Sequence, residues 1–147
     1  SFVSFVQGIV SHWQSHNSLQ HFALHNQGVD DFAMLSDTAL QQMICNLLDN
    51  ALEASPDWVE LSLSSDAQQV LLQVRDHGPG FDPAVLQQLG QCHVSTKQER
   101  PGRGLGLFLV MNVVRALNGQ VQAHNLPAHQ GGGALVEVRL PQAAMAI

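Results

Sequence analysis

The sequence predicts an α/β domain in which helices cover a sheet, and three observations carry that prediction. Residues 37–54 and 105–117 repeat apolar residues at helical spacing, whereas the runs within 58–76 and 120–141 alternate apolar and polar residues. The third observation is size: 147 residues at 45% hydrophobic content suffice for one full core and one domain.

Along the chain, residues 1–16 read as a short amphipathic helix or an extended lead-in, and "LQHFALHN" (19–26) as a strand ended by Gln27-Gly28. A long helix then runs from Asp37, a fitting N-cap, to about Ala54. Its apolar side holds Leu40, Met43, Ile44, Leu47, Leu48 and Ala51, and Pro56 stops it. "WVELSLSS" and "QQVLLQVRD" flank a short turn at Ser65–Gln68 and read as a hairpin with one buried face. "PAVLQQLG" reads as a short helix, followed by a loop from about Gln91 to Gly104. A second long helix, Leu105–Leu117, closes at Asn118-Gly119, a good left-handed cap. The last hairpin is "QVQAHN" and "ALVEVRLP", joined by a loop with three consecutive glycines.

Composition excludes several classes. A formal charge of −6 with only six Lys and Arg leaves no broad surface to track nucleic-acid phosphates, so any anion site must be local. Cys45 and Cys92 have neither CxxC spacing nor the density of a disulfide scaffold, which fits a reducing cytoplasm. No apolar run reaches the length of a membrane span, and "SFVSFVQGIV" lacks the basic front of a signal peptide. The chain begins without Met, as a fragment of a longer chain would.

Three stretches stand out chemically. On the first long helix, Gln42, Asn46, Asp49, Asn50 and Glu53 form one polar stripe, with Asn46 and Asn50 at i and i+4 on the same face. Asn is a poor helix former, so this stripe faces either water or a ligand. In "RDHGPGFDPAV", Asp76 ends a strand and Gly78 and Gly80 bend the chain that follows, which suits a plain turn as well as a ligand site. In "GRGLGLFLV", Gly102, Gly104 and Gly106 sit at the mouth of a helix, which suits a phosphate held by unpaired backbone N–H groups as well as a tight loop that needs backbone freedom. No strand immediately precedes them and no Gly-Lys-Ser/Thr follows, so this is neither a dinucleotide fingerprint nor a P-loop.

In this order, "NLLDNALEA", "DHGPG" and "GRGLGL" resemble the N, G1 and G2 boxes of the GHKL superfamily, which includes gyrase, Hsp90, MutL and the sensor histidine kinases. The sequence looks like the catalytic, ATP-binding domain of a bacterial sensor histidine kinase over about residues 19–141. The resemblance implies a two-layer α/β sandwich, a mixed sheet covered on one face by helices, with ATP between the two long helices and under a mobile lid. It implies that Asp76 accepts a hydrogen bond from the adenine amino group while Gly78 and Gly80 bend around the base. Asn50 and Asn46 would hold Mg²⁺ and phosphate oxygens as the catalytic pair. Gly104, Leu105 and Gly106, with Gly102, would form the phosphate-side hinge. "VSTK" occupies the place of the family's Phe-containing box, with Val94 where Phe is common. That places Ser95, Thr96 and Lys97 at the nucleotide, with Arg103 and Arg100 on the same loop to neutralise the triphosphate. Glu53 is a second departure, standing where many of these kinases carry Lys or Arg.

The implied activity is transfer of the γ-phosphate of Mg²⁺-ATP to a histidine on a separate dimerisation and phosphoacceptor domain, with a response regulator downstream and no nucleic-acid partner. Residues 1–18 would lead in from that domain and 19–147 would form the catalytic one, a soluble fragment in the cytoplasm that could be the cytoplasmic part of an inner-membrane sensor kinase. Two rivals stay open. A GHKL ATPase or anti-sigma Ser/Thr kinase usually has Glu in the place of Asn46, and a non-catalytic interaction module would not need intact boxes. Among the eight histidines, His12 and His16 lack the acidic neighbour of a phosphoacceptor. His21 and His25 lie on a strand more than about 12 Å apart, which disfavours zinc. His77 and His93 are expected to line the pocket.

Overall fold

The computed structural model describes residues 1–34, 36–66, 68–81, 83–84, 86 and 104–146. Its first helix, α1 (Phe2–His16), is capped by the Ser1 side chain, which accepts from the Ser4 amide at 3.1 Å. Phe2, Val6, Ile9, Val10 and Trp13 recur at helical spacing, and all are buried. They belong to the same hydrophobic cluster as the second helix and the sheet. Trp13 also donates from Nε1 to Oδ1 of Asp49 at 2.8 Å, which joins the helices through a polar contact.

After α1 come β1 (His21–Asn26) and α2 (Thr38–Ala54). The Asp37 carboxylate accepts from the Leu40 amide at 3.1 Å, satisfying one of the helix's orphan donors, a contact worth about 1 kcal/mol. β2 (Trp58–Ser65) and β3 (Gln69–Asp76) form the first hairpin. Helix α3 (Gly104–Ala116) leads through Asn118, at φ 58°, into β4 (Gln120–Asn125). A 3-10 turn at Ala128–Gln130 precedes β5 (Ala134–Pro141).

The strands make one sheet in the order β1-β2-β3-β5-β4. β1 runs parallel to β2 and the other neighbours are antiparallel, so the sheet is mixed. Alternation decides its two faces. Val59, Leu61 and Leu63 on β2, Val70, Leu72 and Val74 on β3, and Val136, Val138 and Leu140 on β5 are buried beneath the helices. The residues between them, such as Glu60, Gln73, Arg75 and Glu137, are only half-buried and face the other way. The result is the two-layer α/β sandwich that the resemblance implies, with α2 against β2 and β3, and α3 against α2, β4 and β5.

Candidate functional site

Asp76 is the last residue of β3 and falls on the covered face in register with Val59. A carboxylate there is unusual, because the positions before it on that face are Val70, Leu72 and Val74; it is only 1% exposed. Its Oδ1 accepts the Gly78 amide at 2.8 Å, an Asx turn that bends the chain away from the strand. That bend brings Gly78 against the end of α2, where a Cβ would lie 2.5 Å from the Ala54 carbonyl oxygen. Gly80 takes φ +85°, a backbone state that L side chains disfavour. The "DHGPG" bend is therefore folded onto the last turn of α2, as its glycines require.

One turn before Ala54 lies Asn50, which is 5% exposed although its neighbours in the covered stripe are Met43, Leu47 and Ala51. Asn46, one turn earlier, is half-buried, and its Nδ2 is a buried donor with no hydrogen-bond partner among the described residues. A buried amide donor without an acceptor costs about 1–3 kcal/mol, and so is a marked feature in a well-packed helix. The other polar members of the stripe, Gln42, Asp49 and Glu53, are exposed. The polar stripe thus divides into a solvated edge and an inward pair of asparagines.

Such a site suits a ligand with both acceptors and a cation. The oxygen of an asparagine side chain is a hard ligand for Mg²⁺, and the free nitrogen of Asn46 is a donor of the kind a phosphate oxygen satisfies. Asp76, an acceptor only when ionised, suits an N–H donor on a base.

Other residues position this site, and sequence reasoning did not single them out. Asn125 at the end of β4 accepts the Phe81 amide at 2.7 Å and donates to the Phe81 carbonyl at 2.9 Å, pinning the far end of the bend. Ser55 accepts the His77 amide at 3.1 Å and donates to the Trp58 carbonyl at 2.6 Å. Gly133, at φ +87°, packs so closely on the strand end that a Cβ would sit 1.9 Å from the Asp76 carbonyl oxygen. The three consecutive glycines were a signal of close approach, but the sequence did not say to what.

His77 departs from expectation. Rather than lining the pocket, it is exposed and stacks on Trp58 at 3.5 Å and 6°, and Trp58 in turn stacks with His21 at 5.3 Å. The parity of the strand explains this: Asp76 faces the helices, so His77 turns to the other side. His21 and His25 also differ from their spacing on an extended strand. Both reach Glu60 on β2, at 2.7 and 3.2 Å, because Glu60 lies in register with Ala23 midway between them. Among the described residues, no group of three or more His, Cys, Asp or Glu is placed to hold a metal ion.

Ser95, Thr96, Lys97 and Arg103, with Val94, Arg100, His93, Gly102 and most of the short helix expected after Pro83, lie outside the described residues. Gly104, Leu105 and Gly106 supply the helical backbone of the first turn of α3.

The family model for "Histidine kinase-, DNA gyrase B-, and HSP90-like ATPase" matches residues 36–144. The chain belongs to this family of ATPases. Among curated members, it is 38% identical over 109 residues to the C4-dicarboxylate transport sensor protein DctB of Pseudomonas aeruginosa, covering 71% of this chain and 17% of that protein. It is 30% identical over 105 residues to sporulation kinase A of Bacillus subtilis, covering 70% and 16%. The chain therefore spans less than a fifth of either relative. In fold, this histidine kinase, gyrase and HSP90-like ATPase domain is similar to the mycobacterial sensor histidine kinase MprB. The TM-score is 0.71 at 24% identity, over 95% of both chains. It is also similar to full-length ShkA in complex with AMPPNP, with a TM-score of 0.69 at 22% identity over 99% of this chain and 30% of that one.

Proposed function

We propose that the chain binds Mg²⁺-ATP and donates its γ-phosphate to a histidine on a separate dimerisation and phosphoacceptor domain in two-component signalling. The observation that carries this reading is the set of polar groups on the covered side, buried Asn50 and half-buried Asn46 on α2 and buried Asp76 at the end of β3, where the bend after Asp76 packs Gly78 on Ala54. The ATP analogue named with ShkA and the sensor kinases among the relatives support it.

In this reading Asp76 receives the adenine amino group, Gly78 and Gly80 give the base room, and the amides of Asn46 and Asn50 hold Mg²⁺ and phosphate oxygens. Mg²⁺ would supply charge neutralisation on the transferring phosphoryl group. Ser95, Thr96, Lys97, Arg103, Gly104, Leu105 and Gly106 are proposed to close the phosphate side. Phosphoryl transfer needs positioning and charge stabilisation more than covalent chemistry, so amides are sufficient agents. Hydrolysis would need a group to take a proton from water, and an amide at position 46 cannot do so. Residues 1–18 are proposed to join an upstream phosphoacceptor region to the ATP-binding unit. A response regulator is the proposed acceptor downstream. The cytoplasm is the proposed location, as the cytoplasmic part of a membrane-anchored sensor kinase. No helix of the described residues is long and apolar enough to cross a membrane.

The test is transfer. The purified chain with labelled ATP is expected to phosphorylate a separately supplied acceptor-helix domain from its parent, with negligible steady-state hydrolysis and no self-phosphorylation. Brisk hydrolysis abolished by Asn50→Ala would overturn the kinase reading in favour of an ATPase.

A further inference from the structure

The face of the sheet away from the helices carries a recess of about 450 Å³, within the size of small-molecule sites. Its floor is laid by facing positions: Glu60 on β2 is in register with Arg75 on β3, and Arg75 with Leu135 on β5. Leu126 and Gln130, from the connection between β4 and β5, form one wall.

Glu60 and Arg75 sit directly opposite on antiparallel strands, where opposite charges ordinarily pair. Here each is drawn away. Glu60 takes its contacts from His21 and His25 on β1. Arg75 donates from Nη2 to the Gln130 carbonyl and lies 5.9 Å from the centre of the Trp58 ring. No ion pair joins the two among the described residues, and the Arg75 Nε is buried without a hydrogen-bond partner. The recess therefore holds a divided ion pair, the Arg75 guanidinium on one side and the Glu60 carboxylate on the other. The rest of its lining is polar, from His25, Gln27, Ser62, Gln73 and Gln130, except at one end, where Leu126 and Leu135 supply the apolar surface.

We infer that this recess binds a free α-amino acid with an apolar side chain, its carboxylate on Arg75, its ammonium on Glu60 and its side chain against Leu126 and Leu135. A zwitterion satisfies both charges and adds none. A simple carboxylate would meet Glu60, and a simple amine would meet Arg75, each unfavourably. The assignment does not depend on nucleotide binding, since the recess lies on the face opposite Asp76.

The test is an NMR titration of the isotopically labelled chain with L-leucine, 4-methylpentanoate, which lacks the ammonium, and 3-methylbutylamine, which lacks the carboxylate. L-leucine is expected to shift the Trp58 indole and Leu126 amide signals saturably, with the two analogues at least about tenfold weaker. Arg75→Gln and Leu126→Trp, the latter filling the recess without removing a charge, are each expected to weaken L-leucine by a similar factor. The Trp13 indole signal, held by Asp49 on the opposite side of the sheet, should stay in place in both and so report an intact fold. Absence of saturable shifts with L-leucine, equal binding of 4-methylpentanoate, or undiminished binding by a folded Arg75→Gln variant would each overturn the assignment.

Discussion

Asn125 holds Phe81 by both backbone polar groups, accepting its N–H at 2.7 Å and donating to its C=O at 2.9 Å. One side chain on β4 thereby fixes the exit of a bend, Phe81, that lies 44 residues earlier in sequence. Asn125→Ala is expected to cost about 1–3 kcal/mol in urea denaturation, because two partly buried peptide groups lose their partners. Asn125→Asp keeps the acceptor but sets a carboxylate oxygen against the Phe81 carbonyl, so it should be destabilising as well. Equal stability of wild type and Asn125→Ala would mean that water replaces the clamp without cost.

Adenine selectivity is expected to rest on Asp76. Guanine presents a carbonyl where adenine presents its amino group, so the Asp76 carboxylate would face another acceptor there. Asp76→Asn should weaken ADP or ATP binding by about 1–3 kcal/mol with the fold retained. Calorimetry giving equal wild-type affinities for ATP and GTP would remove Asp76 from this role.

The glycine loop offers a paired comparison. Gly132 at φ +66° has nothing within 4 Å of a built Cβ, whereas at Gly133, φ +87°, that atom would fall on the Asp76 carbonyl oxygen. Gly132→Ala is expected to cost only the backbone strain, about 1–2 kcal/mol. Gly133→Ala adds a clash with the strand end that carries Asp76, so it should lose more stability and also nucleotide affinity. Denaturation and binding curves that are alike for the two variants would show that the loop yields freely at both positions.

Glu60 gives a pH dependence. Burial pushes its carboxyl upward, but hydrogen bonds from His21 and His25 and their charge outweigh this and hold the pKa below the usual value. Its contribution to stability is then complete above the unfolded value of about 4.3 and is lost as pH falls through the folded pKa. The stability gap between wild type and Glu60→Gln should narrow as pH drops below about 4. A gap independent of pH would assign the effect of the substitution to packing alone.

The sequence by itself determined the local elements and the chemical types at the site. Helical spacing placed Asn46 and Asn50 on one stripe of α2, Asp37 and Pro56 bounded that helix, and alternation put Val59, Leu61 and Leu63 on a common covered face. These are short-range properties: a repeat of 3.6 or 2 residues and a capping side chain are read within a few positions.

Tertiary structure decided which stretches meet. It placed β1 parallel to β2 and inserted β5 between β3 and β4, a strand order that no local pattern encodes. It put Asn125 on Phe81 and Gly133 on Asp76, and turned His77 from the expected pocket onto Trp58. It also placed Glu60 between His21 and His25 while leaving Arg75 to Gln130 and Trp58. These contacts join residues far apart in the chain, and they follow from sheet register and loop path. Shifting a strand by a single residue would exchange its two faces and move every one of its side chains to other partners.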